Sequence, residues 1–132
     1  MPTYVRDIMT PYDELVILNP NDTIEKAHKI MRDRNIHSVL VKKAKSSLFW
    51  LIFTDTDLLA AQSSDEDESS VFVGDWANMA TKIAKPEWTC EKAREVMLSN
   101  GVKHLPVMDD AFQLLGIISS KDVIEKCRSG RI

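Results

Sequence analysis

PNDTIEKAHKIM (20–31) and PEWTCEKAREVM (86–97) are the two stretches whose reading decides the fold. Pro20 matches Pro86, Thr23 matches Thr89, Glu25-Lys26-Ala27 matches Glu91-Lys92-Ala93, and Met31 matches Met97. The likeness extends outward in both directions. NIHSVLV (35–41) aligns with GVKHLPV (101–107), and LIFTDTD (51–57) aligns with GIISSKD (116–122) after one residue of slippage. Even the leaders correspond, VRDIMT (5–10) with VGDWAN (73–78). Self-similarity at a fixed period marks a repeated structural unit, here of roughly 60 residues.

Each copy reads in the same order. A short apolar run opens it, Leu15 to Leu18 in the first copy and the weaker Thr81 to Ala84 in the second, and a proline ends the run. Asp22 or Thr23, and Thr89 in the second copy, are suited to cap a helix N-terminus. Ile24, Ala27 and Met31, like Cys90, Ala93 and Met97, fall at helical spacing. Asn35 and Gly101 mark the helix ends, glycine being suited to the left-handed cap. Two strand-like runs joined by a polar turn follow, 36–42 with 48–54 and 102–108 with 114–119. A second helix closes each copy, at 55–61 and 120–128. The pattern is β-α-β-β-α twice, an α/β fold of two repeats packed as a pseudo-two-fold pair, because half-units this small bury little alone. The expected organisation is repeat 1 at 5–61, a linker at 62–70 and repeat 2 at 71–128. The linker QSSDEDESS has no apolar residue and reads as a solvated, mobile connection, with an acidic partner-binding loop as the alternative.

Composition sets the limits. The 132 residues are 44% hydrophobic, enough for a core, and 28% charged with a net charge of −3. That balance argues against a general nucleic-acid binder. No apolar run approaches the ~20 residues that span a bilayer, and the N-terminus lacks the basic and apolar regions of a secretory signal. A cytoplasmic location is expected. Cys90 and Cys127 form no metal-ligand spacing and are expected as thiols in a reducing compartment. No glycine-rich phosphate loop is present, and no nucleophile–base arrangement supports a hydrolase built on Asp55, Asp57 and a histidine. The expectation is therefore a protein without catalytic residues or a metal. Trp50, Trp76 and Trp88 read as packing or dimer-contact aromatics, and His28 as a surface residue.

One element recurs after the last strand of each copy: Thr54-x-x-Asp57 and Ser119-x-x-Asp122. A hydroxyl followed three residues later by an acid outlines a helix capping box, although aspartate is a shorter member than the usual glutamate. The same physics serves a ligand. A strand running into a helix N-terminus points N–H groups at an anion, a hydroxyl can donate to a phosphate oxygen, and an ionised carboxylate can accept from two ribose hydroxyls. Recurrence in both copies shifts weight toward a nucleotide site.

At this point the chain resembles a tandem pair of CBS domains, the cystathionine-β-synthase-type or Bateman module. The resemblance runs from Val5 to about Lys126 and rests on DIMT, on P-x-x-T-x-x-x-A-x-x-x-M in each first helix, on GVKHLPVMDD and on LLGIISSKDVI. The first copy departs from the pattern at Leu51 and Leu40, where the second has Gly116 and Pro106, and at KKAKSSLFW (42–50). The resemblance implies a non-enzymatic regulatory module that binds AMP, ADP or ATP, with S-adenosylmethionine or NAD also in range, in two clefts between the repeats. One cleft would use Thr54 and Asp57 with Thr81, Lys82, Ile83, Lys103, His104, Pro106 and Lys121. The other would use Ser119 and Asp122 with Val16, Ile17, His37, Ser38 and Leu40. Lysines flank the first set, whereas the second has only His37, and a histidine is only partly charged at neutral pH. The first cleft is thus expected to prefer phosphorylated ligands. The resemblance also implies a homodimer formed through the helices and an output read by an unidentified partner protein. The competing reading is a ligand-free interaction or dimerisation scaffold with the same fold.

Overall fold

The computed structural model describes residues 1–42 and 49–127. In chain order the elements are α1 (Val5–Ile8), β1 (Thr10–Pro11), a 3₁₀ turn (Tyr12–Glu14), β2 (Ile17–Leu18), α2 (Ile24–Arg34), β3 (Ser38–Val41), β4 (Leu51–Thr54) and α3 (Asp55–Gln62). They continue with α4 (Val73–Trp76), β5 (Asn78–Met79), α5 (Cys90–Asn100), β6 (His104–Met108), β7 (Leu114–Ser119) and α6 (Ser120–Lys126). The long helices and paired strands fall where the periodicity put them. Two expected end positions lie outside the described residues: Leu48, the start of the strand at 48–54, and Arg128, the end of the helix at 120–128.

The chain forms two compact units, each with its own core. One is continuous, Val16–Thr81. The other joins Met1–Leu15 to the chain from Lys82 onward. The leader of each sequence copy is thus built into the unit that carries the other copy's helices. In the continuous unit, Ile24 N–H donates to Val71 carbonyl at 3.0 Å, and Val73 N–H donates to Asp22 carbonyl at 2.9 Å. In the discontinuous unit, Cys90 N–H donates to Thr3 carbonyl at 2.8 Å, and Val5 N–H donates to Trp88 carbonyl at 2.8 Å. These bonds satisfy N–H groups at the helix N-termini that the helices themselves cannot.

The sheets are laid out alike. The continuous unit has the order β2-β3-β4-β5, with β2–β3 parallel and the other pairs antiparallel. The discontinuous unit has the order β1-β7-β6, antiparallel throughout. Its expected first strand at 81–84 contracts to one parallel bridge, Ala84 with Val107, held by Ala84 N–H to Pro106 carbonyl at 2.8 Å. Thr81 and Lys82 are polar and exposed, so only the buried Ala84 joins the sheet.

The helices start and stop as their residues dictate. Thr23 and Thr89 accept from the N–H groups of Lys26 and Lys92 at 3.1 and 3.2 Å. Asn35 (φ 51°) and Gly101 (φ 63°) close α2 and α5 in the left-handed conformation. Between them, the apolar faces of α2 and α5 bury Ile24, Ala27 and Met31, and Cys90, Ala93 and Met97. Val5 of α1 and Val73 of α4 are fully buried in the two cores. Trp88 and Trp76 pack against those cores, in keeping with a packing role.

Two long-range pairings correct the sequence reading. Cys90 and Cys127 form a disulfide with a Cα–Cα separation of 5.8 Å, rather than two thiols. Cys90 opens α5 and Cys127 ends α6, and these neighbouring helices bring together residues 37 apart in the chain. His28 has a partner, the Glu68 carboxylate at 2.9 Å, with Gln62 Nε2 at 3.4 Å from the other Glu68 oxygen. The acidic stretch is therefore pinned at Glu68, whose carbonyl also accepts from Glu25 N–H at 3.0 Å. Within it, Ser69 N–H donates to the Asp67 carboxylate at 3.0 Å, which holds that acid below the usual carboxylate range.

Candidate ligand sites at two helix N-termini

Thr54 ends β4 and caps α3 in extended conformation. Its hydroxyl lies 3.4 Å from Asp57 N–H and 3.1 Å from Asp57 Oδ2, and its own N–H donates to Oδ2 at 2.8 Å. Ser119 ends β7 and caps α6 in the same way. Its hydroxyl lies 3.1 Å from Asp122 N–H and 2.9 Å from Asp122 Oδ2, and its N–H donates to Oδ2 at 2.9 Å. Both are complete capping boxes. Aspartate closes the box despite its short side chain because it sits at the third helical residue and folds back on the cap.

The remaining carboxylate oxygens differ. Asp57 Oδ1 accepts from Asn78 Nδ2 at 2.9 Å, a contact brought by β5 pairing beside β4. Asp122 Oδ1 faces Lys126 Nζ at 3.6 Å, one helical turn on. Neither residue stood out in the sequence. The signal for Asn78 was its place at the end of the leader VGDWAN, where the other copy has Thr10. For Lys126 it was the i, i+4 spacing from an acid. A carboxylate oxygen has two lone pairs, so Asp57 and Asp122 each retain acceptor capacity for a hydroxylated ligand. The Thr54 and Ser119 hydrogens are directed at these carboxylates, so a hydroxyl must rotate before it donates to a phosphate.

The other candidates distribute between the two units. With Thr54 and Asp57 the continuous unit holds Val16, Ile17, His37, Ser38, Leu40 and Thr81. Ser38 pairs directly with Thr54 across β3–β4, and Ile17 pairs with Leu40 across β2–β3. His37 Nδ1 lies 3.4 Å from Asp55 Oδ2, with both side chains more than half exposed at 54% and 60%. The Asp55 carboxylate is therefore directed to the histidine at the surface. With Ser119 and Asp122 the discontinuous unit holds Lys82, Ile83, Lys103, His104, Pro106 and Lys121. His104 pairs with Ser119 across β6–β7, matching the Ser38–Thr54 pair. Lys103 carbonyl accepts from Ser120 N–H at 2.8 Å, as His37 carbonyl accepts from Asp55 N–H at 3.0 Å. Lys82, Lys103 and Lys121 are exposed, His104 is partly buried, and Pro106 and Leu40 are buried. Among the described residues, no group of three or more His, Cys, Asp or Glu side chains could hold a metal ion. Among the same residues, no helix is long and apolar enough to cross a membrane.

Strand, hydroxyl cap, helix and acid thus occur twice in matching register. A family model for the CBS domain fits residues 5–64 and again 73–129. The chain belongs to the CBS-domain family, as a tandem pair. An uncharacterized 17.7 kDa protein in the bps2 3′ region of Acidianus ambivalens is 29% identical to this CBS pair over 123 residues, 93% of this chain and 72% of that protein. Among solved structures, the hexameric CBS-CP12 protein from bloom-forming cyanobacteria superposes with a TM-score of 0.85 at 22% identity, covering 97% of this chain and 70% of that one. CBSX2 in complex with AMP gives a TM-score of 0.72 at 21% identity, covering 92% and 93%. At these identities the structures establish a common fold.

Proposed function

We propose that this CBS pair is a non-catalytic regulatory module that binds an adenosine-containing nucleotide of the AMP, ADP or ATP class and passes that state to a partner protein. One observation carries the reading. The same hydroxyl-and-carboxylate constellation stands at a strand end and helix start in both units, with matched hydrogen bonds. The facing position across the strand pair is polar in both units, Ser38 in one and His104 in the other. The AMP complex of CBSX2, a protein of the same fold, supports the ligand class. By the CBS resemblance, the set that includes Thr54 and Asp57 is the one proposed to prefer phosphorylated ligands. Titration calorimetry with AMP, ADP, ATP, NAD and S-adenosylmethionine tests the reading. Binding by at least one of them at micromolar to millimolar concentration is expected; no heat and no thermal stabilisation from any of them would remove it.

A second reading is favoured by a separate surface. In the discontinuous unit a mainly apolar groove of about 400 Å³ runs between α5 and α6, lined by Met97, Leu98, Val102, Val123 and Ile124, with Arg94, Lys103 and Ser120 also on its walls. Leu98 and Ile124 are 76% and 81% exposed. The occupant we propose is a second copy of the chain. Glu91 and Glu95 lie beside Arg94 on α5, so a two-fold contact can set the cation of one copy against an acid of the other. Sedimentation tests it: a dimer that Leu98→Glu converts to monomer is expected. A monomer at every concentration would point to a different partner for the groove.

A further inference from the structure

The Cys90–Cys127 bond ties the start of α5 to the end of α6 in the discontinuous unit. Cys90 is the first residue of α5 and fully buried in the core, whereas Cys127 caps the C-terminus of α6 and is only partly buried. Helix α6 is seven residues long, too short to persist by its own hydrogen bonding, so its position depends on what fastens it. Val123 fastens its middle to the core and the capping box its start. The disulfide fastens its end. The corresponding positions in the continuous unit are Ile24 and Gln62, which cannot form such a bond. There α3 is closed by Ser63 and Ser64, whose hydroxyls donate to Leu59 and Ala61 carbonyls at 2.9 and 2.7 Å.

We propose that Cys90–Cys127 is a reversible thiol–disulfide site that holds α6, and with it Asp122 and the Ile124 wall of the groove, in place only in the oxidised state. The co-reactant is a dithiol. Its thiolate attacks the sulfur of Cys127, the less buried of the two residues, because full burial shields Cys90. The S–S electron pair leaves on Cys90 Sγ, at the positive end of an 11-residue helix, and that sulfur takes up a proton. The second thiol of the reductant then displaces Cys127 from the mixed disulfide. The protein disulfide and one dithiol give two protein thiols and one reductant disulfide, a two-electron, two-proton exchange.

The test uses the full chain, oxidised or treated with dithiothreitol, followed by thiol titration and hydrogen exchange. Reduction under native conditions should yield two titratable thiols and speed exchange in α6 by about tenfold or more while α3 stays unchanged. Cys127→Ser should exchange like the reduced protein. Equal α6 exchange in the two states would overturn the proposal. So would a bond that yields only after global unfolding, or a reduced chain and Cys127→Ser variant that both lose α3 protection, since the disulfide would then be structural. A further arm rests on the nucleotide reading: AMP binding that depends on Asp122 should weaken on reduction. Because hydrogen exchange needs no ligand, failure of nucleotide binding and failure of the redox site remain distinguishable.

Discussion

The two units share one plan and differ in how each matched position is secured. Asp22 and Lys26 open α2 as an ion pair, at 3.2 Å; at the same positions of the other unit Lys92 Nζ sits over the Trp88 ring, 4.8 Å from its centroid. Asp57 is braced by an amide from a neighbouring strand, Asp122 by an ammonium on its own helix. Helix α3 ends on hydroxyl–carbonyl bonds and α6 on a disulfide. Leu59 and Arg32 hold the sequence positions that Ile124 and Leu98 hold in the other unit, where both line the groove. The scaffold needs only an apolar core, two caps and a leader. The remaining positions are open to specialisation, and the discontinuous unit has used them for a covalent tie and an apolar surface.

The comparison is most easily strained at the cores. Phe53 and Ile118 occupy the same place in β4 and β7 and are both fully buried. Phe53→Ala should cost about 3–5 kcal/mol in denaturant unfolding, and Ile118→Ala about 2–5 kcal/mol. A loss below about 1 kcal/mol at either would deny that the two cores are equivalent.

A smaller effect should separate Gly116 from Leu51. A Cβ at Gly116 would collide with the Thr10 carbonyl oxygen and press on Met9 Sδ, so β1 cannot pair with β7 past a side chain. In the other unit Leu51 pairs with Met79 of β5 without that conflict. Gly116→Ala is expected to destabilise by about 1–3 kcal/mol, and Leu51→Ala should leave the β4–β5 pairing intact. Solvent exchange of the Thr10–Pro11 and Asn78–Met79 regions reads both outcomes.

Removing the caps should cost less again. Thr54→Ala and Ser119→Ala each lose an N-cap, about 1 kcal/mol. If the hydroxyls serve only as caps, the two variants lose stability and keep ligand affinity; loss of both supports the double role. The smallest difference is in acid. A backbone N–H from Asn19, and then Lys26, hold the Asp22 carboxyl below the usual range, burial opposing them. Its stabilising contribution is full above the ordinary aspartate value of about 3.9 and is lost as pH falls through the lower folded value. Asp22→Asn should therefore flatten the acid limb of the stability curve, while Trp88→Phe should leave it unchanged.

Much of this was legible in the chain. Thr23, Thr89, Asn35 and Gly101 announce helix ends because their preferences are local, and Met31 and Met97 announce a buried face because helical periodicity is local too. The repeat itself brought Thr54 and Asp57 into register with Ser119 and Asp122. What escaped reading depends on contacts between distant segments. The leaders are alike, so nothing in VRDIMT says that it docks on the helix beginning at Cys90 rather than on the one beginning at Ile24. Cys90–Cys127, His28–Glu68 and Asp57–Asn78 each require two elements to be laid side by side first. The strand at 81–84 shrank because two of its residues are polar, a limit that an alignment of copies conceals.

We propose that the two carboxylates head nucleotide sites of unequal strength. This is tested most directly by calorimetric titration of ATP and AMP into the intact chain, Asp57→Ala and Asp122→Ala. Both substitutions should weaken binding, and Asp57→Ala should weaken it more, because the CBS resemblance assigns the phosphate-preferring set to Asp57. Equal losses, or a larger loss from Asp122→Ala, would contradict the asymmetry, and unchanged binding in both variants would return the two aspartates to the role of helix caps.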